Sequence, residues 1–307
     1  MTDLPYIDAG RLRSLLPMRA AIDALEQTFG TAAASGPPRS HIAVPGGDLL
    51  LMPAYGPDGV GVKLVTVAPG NPGRGLPLIH GLYVLFAADG LAPRALIDGA
   101  AMTALRTAAV SGLATRYLAR SDAARLLVFG AGTQARAHVA AMRAVRPIEH
   151  VVVVSRTTAS AATLVEDLRS EGIDARVGTP AALGSADIVC TCTTSDTPVF
   201  DGALLADGAH VNAVGAYTPA ARELDSETMR RGRVVVEQRA AALEEAGDLV
   251  LAIGDGAMTP AHIVADLSEI VTGTPVRGSD RHITVFKSVG LALEDLAIAG
   301  AAVARLG

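Results

Sequence analysis

The chain has 307 residues, of which half are hydrophobic and 19% are charged, and its formal net charge is -5 at pH 7. This composition allows a sizeable core and argues against disorder, and an acidic chain without a long basic run is a poor ligand for a nucleic-acid backbone. No apolar run of about 18 residues that could span a membrane occurs, and the first residues do not resemble a signal peptide. We therefore expect a cytoplasmic protein with neither nucleic-acid nor membrane partners.

The first third of the chain mixes predicted helices and strands. Apolar residues at helical spacing predict a helix over residues 11–30. HIAV and LLLMPAY are predicted as strands joined by a Gly-Gly-Asp turn, GVGVKLVTV as a third strand, and LIHGLYVLF with APRALID as a hairpin. Together these strands indicate an antiparallel meander. A second helix is predicted over residues 103–119, with Arg106 near its start.

From Ser121 onward, apolar strands alternate with glycine turns and helical segments. The predicted strands are RLLVFG, HVVVVS, ARVG, ADIVCTC, AHVNAV, RVVVEQ and HITVFK. Most lack polar alternation, which is typical of parallel strands buried on both faces, and the scarcity of aromatic residues (3%) favours the same α/β class. The last run, SVGLALEDLAIAGAAVARL, is predicted as an amphipathic helix of about five turns that returns to the first domain.

One glycine-rich turn carries a functional signal. In LLVFGAGTQARAHVAAM, Gly130, Gly132 and Ala135 follow a predicted strand and precede a helix in the order G-x-G-x-x-A. The first glycine permits a tight turn, the second lets a pyrophosphate approach the backbone, and the small third residue lets helix and strand pack closely. The context predicts an oxidoreductase with a nicotinamide dinucleotide on a Rossmann domain.

The end of the second strand bears on the choice of cofactor. A carboxylate that binds the ribose 2′-hydroxyl is expected about twenty residues after the glycine turn, but Ser155, Arg156 and Thr157 stand there. A guanidinium group and two hydroxyls suit a 2′-phosphate, so we predict a preference for NADP(H), with NAD(H) possible. The alternative is that Arg156 stacks on the adenine or faces solvent.

The two cysteines, Cys190 and Cys192, lie in an apolar strand-like run without further ligands at metal-binding spacing. We interpret them as buried thiols without a chemical role, and we predict no metal site.

Several segments together resemble the ornithine cyclodeaminase/mu-crystallin family. They are MPAYGPDGVGVKLVTVAPGN, LIDGAAMTALRTAAVSGLATRYLA, VFGAGTQARAH, HVNAVGAYTPAARELD and ITVFKSVGLALEDLAIA, and they span nearly the whole chain. The resemblance implies an α/β fold with a Rossmann domain at 120–287 and a split α+β substrate-binding and dimerisation domain made of 1–119 and 288–307. It also implies a homodimer.

The same resemblance assigns site residues. Arg39, Lys63 and Arg106 match the positions that bind the substrate carboxylate, and forked guanidinium donors suit a carboxylate. Further positions are assigned to the cofactor: Thr133, Gln134, Thr193, Val214, Ser288, Val289 and Gly290.

One departure from the family pattern concerns Tyr217. The cyclodeaminases carry an aspartate at this position, and a phenol cannot supply a carboxylate's charge near neutral pH. Tyr217 is therefore assigned to the catalytic site with Lys63 and Arg106, either as a pocket wall or as a hydrogen-bond donor. His80 is a further candidate for substrate binding, with a structural histidine as the alternative. Asp225 is interpreted as a helix cap.

We predict NAD(P)H-dependent reduction of 1-pyrroline-2-carboxylate or 1-piperideine-2-carboxylate to proline or pipecolate. The small substrate carries a carboxylate next to an imine, and the protein supplies orientation more than a strong base. Three alternatives stay open: an ornithine cyclodeaminase, an alanine dehydrogenase-like amino acid oxidoreductase, and a binding protein that holds the cofactor as a structural ligand.

Overall fold

The computed structural model describes residues 4–306, and the chain forms two compact units. The first unit contains the N-terminal part up to Ala109 and the segment from Leu291 onward, and the second contains Val110–Gly290. The first boundary between the units, between Ala109 and Val110, falls inside the helix Gly99–Leu118. The predicted domain boundary lies after residue 119, beyond the end of that helix. A sequence pattern shows where a helix ends but not with which unit each half packs.

Helices form where apolar residues recur at helical spacing. They are α1 (Ala9–Leu15), α2 (Met18–Thr31), α3 (Gly99–Leu118), α4 (Thr133–Val145), α5 (Thr158–Ser170), α6 (Ser226–Arg231), α7 (Arg239–Glu245), α8 (Gly247–Gly254), α9 (Leu267–Val271) and α10 (Ala292–Val303). No helix within residues 4–306 combines the length and the hydrophobicity needed to cross a membrane.

Two predicted helices differ in their bounds. The helix predicted over residues 11–30 is divided into α1 and α2 at Pro17, because the residue before a proline is disfavoured in a helix and Pro17 instead caps α2. Helix α3 begins earlier than predicted because the Asp98 carboxylate accepts hydrogen bonds from the N–H groups of Ala100 and Ala101, at 3.0 and 2.9 Å. Arg106 therefore lies about two turns inside α3 rather than near its start.

The first unit is built on a six-stranded sheet in the order β1-β6-β5-β4-β3-β2. Its strands are β1 (Tyr6–Ile7), β2 (Ser40–Val44), β3 (Gly47–Gly56), β4 (Gly59–Val67), β5 (Ile79–Phe86) and β6 (Pro93–Asp98). Strands β2 to β6 pair antiparallel in sequence order, which confirms the predicted meander. The short β1 pairs in parallel with β6.

The two faces of this sheet differ in burial. Lys63 lies opposite Met52 on β3 and opposite Tyr83 on β5, so these three side chains share one face, and all are buried. Helix α10 packs against this face through β3, β4 and β5, and it also packs against α2. The other face carries half-buried apolar side chains, among them Leu51, Pro53, Val62, Leu64, Leu82 and Val84.

The second unit is built on an eight-stranded parallel sheet in the order β13-β12-β14-β11-β10-β7-β8-β9. Its strands are β7 (Arg125–Phe129), β8 (His150–Val154), β9 (Asp174–Val177), β10 (Ile188–Thr191), β11 (His210–Ala213), β12 (Arg233–Val236), β13 (Ile263–Asp266) and β14 (Thr284–Lys287). Seven of them were predicted, and β13 was missed. The α/β fold class is confirmed.

Candidate active site

The glycine turn after β7 has the shape that the sequence pattern predicts. Gly130 has φ +110°, and a Cβ atom at this position would lie 2.5 Å from the carbonyl oxygen of Cys192. Its N–H donates to the carbonyl oxygen of Val154 at the end of β8, at 2.8 Å. The chain itself therefore requires glycine at residue 130.

Gly132 is different, because a Cβ atom there would meet no other heavy atom of the described residues within 4 Å. Gly132 is the N-cap of α4, and Thr133, Gln134 and Ala135 form the first turn of that helix. The first N–H groups of a helix have no partner within it, and the helix dipole favours an anion there. The open space over Gly132 and the N-terminal end of α4 fit the pyrophosphate of a dinucleotide.

A cleft of about 720 Å³ lies beside this turn, within the usual size of a small-molecule site. It is formed at the carboxyl ends of β7, β8 and β10, where ligands bind in open α/β sheets. Six of the predicted cofactor residues line it, namely Gly130, Gly132, Ser155, Arg156, Thr157 and Thr193. Of the other predicted cofactor residues, Val214 directly follows β11 and Ser288, Val289 and Gly290 directly follow β14.

Buried carboxylates fix the loops at these strand ends. Glu237 accepts hydrogen bonds from the hydroxyl of Ser288 and from the N–H groups of Val289 and Gly290, at 2.6, 2.9 and 2.8 Å. Glu223 accepts from the N–H and the hydroxyl of Thr193, at 2.7 and 2.6 Å. These contacts hold in place the backbone at three predicted cofactor residues after β14 and one after β10.

The segment after β11, which carries Tyr217, is held by the same network. The Glu223 carboxylate also accepts from the N–H of Gly215 at 2.7 Å, and burial raises the pKa of this carboxyl group. The ammonium group of Lys287 lies 2.8 Å from the carboxylate of Asp248 and donates to the carbonyl oxygen of Ala216 at 2.5 Å. The Tyr217 side chain is itself exposed.

A cluster of four buried charged side chains lies in the first unit. The Lys63 ammonium group lies 2.9 Å from Oδ1 and 2.8 Å from Oδ2 of Asp295, and its side chain is almost completely buried. Arg106 donates to Glu294 at 3.1 Å, and its Nε lies 3.6 Å from Oδ1 of Asp295. The predicted cations Lys63 and Arg106 are thus brought together, and Asp295 contacts both.

Burial lowers the pKa of Lys63 to about 8, against the opposing attraction of Asp295. Arg106 also lowers it, whereas Glu294 raises it. The neighbouring Tyr83 hydroxyl is fully buried and has no hydrogen-bond partner among residues 4–306, and burial raises its pKa far above the ordinary value. The Lys63 amine therefore has a proton affinity suited to proton transfer near neutral pH.

The remaining candidates are Arg39, His80 and Asp225. Arg39 directly precedes β2 and is partly buried. His80 pairs with Thr66, which puts His80 on the sheet face opposite to that of Lys63, and its side chain is exposed. The structure does not bring His80 together with Lys63. Asp225 caps α6 by accepting from the N–H of Thr228 at 2.8 Å, as predicted.

The two cysteines are free thiols. Cys190 is buried in β10, and Cys192 follows that strand and lines the cleft. Burial raises the pKa of both thiols, which makes them poor nucleophiles.

The sequence analysis gave no role to Glu294 and Asp295. A signal was present, because they are the only charged residues between Ser288 and Val303 in an otherwise apolar helical run. Carboxylates in such a run are buried only when cations pair with them. A second signal is that the chain has two lysines, Lys63 and Lys287, and both lie in apolar strands.

We expect Gly130→Ala to lower stability and Gly132→Ala to weaken dinucleotide binding. Gly130→Ala should lower the free energy of unfolding by about 2 kcal/mol or more because of its positive φ and the contact with Cys192. Gly132→Ala should leave stability unchanged but weaken dinucleotide binding about tenfold, because its methyl group fills the ligand's space. Denaturant unfolding and a fluorescence titration with the reduced dinucleotide measure both effects. Normal binding by folded Gly132→Ala would contradict the assignment.

Comparison with known proteins places these features in context. The sequence is 40% identical over 262 residues to a Delta(1)-pyrroline-2-carboxylate reductase from Bacillus cereus, which covers 81% of this chain and 79% of that protein. The structure matches the Thermococcus litoralis Delta(1)-pyrroline-2-carboxylate reductase in complex with NADH and L-proline, with a TM-score of 0.94, 36% identity, and coverage of 98% of this chain and 97% of that one.

A second solved structure is also similar over nearly the full length. It is an archaeal alanine dehydrogenase dimer with bound NAD, which matches with a TM-score of 0.92 and 31% identity and covers 98% of this chain and 95% of that one. The model of the ornithine cyclodeaminase/mu-crystallin family matches residues 8–305. The chain belongs to the ornithine cyclodeaminase/mu-crystallin family.

Proposed function

We propose that the protein reduces cyclic imino acids, 1-pyrroline-2-carboxylate or 1-piperideine-2-carboxylate, to proline or pipecolate with a nicotinamide dinucleotide. The observation that carries the proposal is the pair of buried cations Lys63 and Arg106, which suits a small carboxylate-bearing substrate. The glycine turn and cleft of the second unit supply the dinucleotide site. Relatives that are 40% and 36% identical are named as pyrroline-2-carboxylate reductases.

Three basic residues have separate roles in substrate binding and proton transfer. The guanidinium groups of Arg39 and Arg106 orient the substrate carboxylate, and Lys63 assists this binding and donates a proton to the imine nitrogen. A reduced nicotinamide, when bound, would supply the hydride for the carbon that bears the carboxylate. A protonated imine is already electrophilic, so alignment and exclusion of water matter more than a strong base.

Tyr217 argues against an ornithine cyclodeaminase. Tyr217 provides a phenol and not a carboxylate at this position, so it lacks the group that would balance the substrate's second amino group. We assign Tyr217 to the pocket as a wall or a hydrogen-bond donor. The alanine dehydrogenase-like activity is the second candidate, because the archaeal alanine dehydrogenase is 31% identical over nearly the whole chain.

The decisive assay follows oxidation of NADPH and NADH with each cyclic imino acid, and with pyruvate, in the presence and absence of ammonium. We expect rapid oxidation with the imino acids that does not depend on ammonium. Turnover that requires both pyruvate and ammonium would identify an alanine dehydrogenase. Ammonia release from ornithine would identify a cyclodeaminase, and tight cofactor binding without turnover of any substrate would favour a binding protein.

The variant Lys63→Met tests the role of Lys63 in the same assay. Methionine keeps the length of the side chain but cannot donate a proton, so we expect kcat to fall by about 10²- to 10⁴-fold while dinucleotide binding is retained. Unchanged kcat in the folded variant would remove Lys63 from the mechanism.

For the cofactor, we propose a preference for NADP(H). The support is that Ser155, Arg156 and Thr157, the residues after β8 that line the cleft, include a guanidinium group and no carboxylate. We expect Arg156→Gln to weaken NADPH binding about tenfold, the loss of one charge-assisted contact, and to leave NADH binding nearly unchanged. Titration of both dinucleotides measures this. Tighter binding of NADH by the wild-type protein would contradict the preference.

We also propose a homodimer formed through the half-buried apolar face of the first unit's sheet, with a second copy of the chain as its occupant. Tyr6, Ile42, Val44 and Tyr55 extend this face and are exposed. Exposed apolar surfaces of this extent mark interaction sites, and the similar archaeal alanine dehydrogenase is described as a dimer.

Light scattering should therefore give a mass about twice the 31.3 kDa of the chain. Val84→Glu, at the centre of the face, should give a folded monomer because a carboxylate cannot be buried there unpaired. The matched control Leu243→Glu, an exposed leucine on α7, should stay dimeric. A monomeric wild-type protein would contradict this proposal.

A further inference from the structure

We propose that Asp295 is a positioning residue of the active site, whose carboxylate bridges Lys63 and Arg106 and keeps Lys63 as the ammonium ion that gives its proton to the imine nitrogen. The inference rests on the proposed function, because it takes an imine as the proton acceptor. It assigns to the last helix a part in the chemistry.

The geometry of the bridge is specific. Both carboxylate oxygens of Asp295 lie within 2.9 Å of the Lys63 ammonium group, and one of them also lies 3.6 Å from Nε of Arg106. Asp295 and Lys63 are 232 residues apart in sequence, so α10 brings the carboxylate to β4. Asp295 is fully buried and Lys63 nearly so, so bulk water solvates neither charge fully. The contact therefore sets both the position and the charge of Lys63.

The charged and titratable groups around Lys63 come from three elements. Asp295 and Glu294 on α10 favour the ammonium form, Arg106 on α3 disfavours it, and Tyr83 on β5 stays a neutral phenol. Burial alone would remove the proton from an amine at this place. With Asp295 present, the pKa of Lys63 stays near 8, so most molecules carry the proton at pH 7.

The proton balance follows from this arrangement. The N–H bond at Lys63 Nζ breaks and a new N–H bond forms at the imine nitrogen, which leaves Lys63 as a neutral amine. The amine regains its proton from water when the product leaves. Asp295 contacts Lys63 rather than the substrate, so it acts on the reaction through the position and charge of Lys63.

The test is the pH dependence of kcat with saturating imino acid and cofactor. Because the reaction needs protonated Lys63, kcat of the wild-type protein should fall as the pH rises through about 8. Asp295→Asn keeps the size of the side chain but removes the charge that raises the pKa of Lys63. The alkaline limb should move to lower pH by about one unit or more.

Glu294→Gln is the matched control, because Glu294 is the adjacent buried carboxylate and its hydrogen bond is to Arg106. We expect a higher KM from this variant and a much smaller displacement of the alkaline limb. Asp295→Glu restores the charge and should return the limb toward its wild-type position. Thermal unfolding and dinucleotide binding check that each variant is folded. An alkaline limb that is identical in Asp295→Asn and the wild-type protein would overturn the proposal.

A spectroscopic measurement of the charge of Lys63 tests this inference independently of the proposed function, because it requires no turnover. The chain has only two lysines, so protein labelled with ¹⁵N-lysine gives two side-chain nitrogen signals, which Lys63→Met assigns. In the cofactor-bound wild-type protein, the Lys63 signal should be that of an ammonium ion at pH 7 and should titrate near pH 8. A neutral amine at pH 7 would overturn the inference even if Asp295→Asn does not fold. A protein that passes this test but reduces no imine would instead contradict the proposed function.

Discussion

An ammonium group without water needs a carboxylate beside it, and much of this protein's organisation follows from that requirement. Lys63 lies on the buried face of a sheet among apolar side chains, and Asp295 on α10 is the anion that makes its position tolerable. Helix α10 ends the chain but packs on β3, β4 and β5, far from it in sequence. The ion pair therefore links the packing of the last helix to the placement of a chemically active amine.

The second unit repeats the arrangement with different consequences. Lys287 ends the inner strand β14 and pairs with Asp248 on α8, whose other carboxylate oxygen accepts hydrogen bonds from the N–H groups of Glu223 and Leu224, at 2.8 Å each. Glu223 in turn holds Thr193 and Gly215. Buried polar networks whose members are satisfied make loops rigid. Here the rigid loops are those at the carboxyl ends of the strands, where the dinucleotide cleft lies.

The sequence predicted the meander, the parallel sheet and the glycine turn because each depends on patterns within a few residues. It could not predict the pairing of Lys63 with Asp295, because no local pattern joins residues so far apart. His80 illustrates a second limit. Which side chains of β4 and β5 share a face depends on the register of the two strands, in which Lys63 lies opposite Tyr83. The sequence of the loop between the strands does not reveal this register. The division at Pro17 was visible in the sequence but was outweighed by the apolar spacing.

The burial of both lysines also determines which basic side chains lie on the surface. Nearly all of the 26 basic side chains are arginines, whose guanidinium groups keep their charge at any pH a protein tolerates. The Lys287 side chain is fully buried, so reagents and enzymes that acylate lysine amines do not reach it in the native fold. Acylation of Lys287 therefore measures how often the chain opens, because only an opened chain exposes this side chain to solvent.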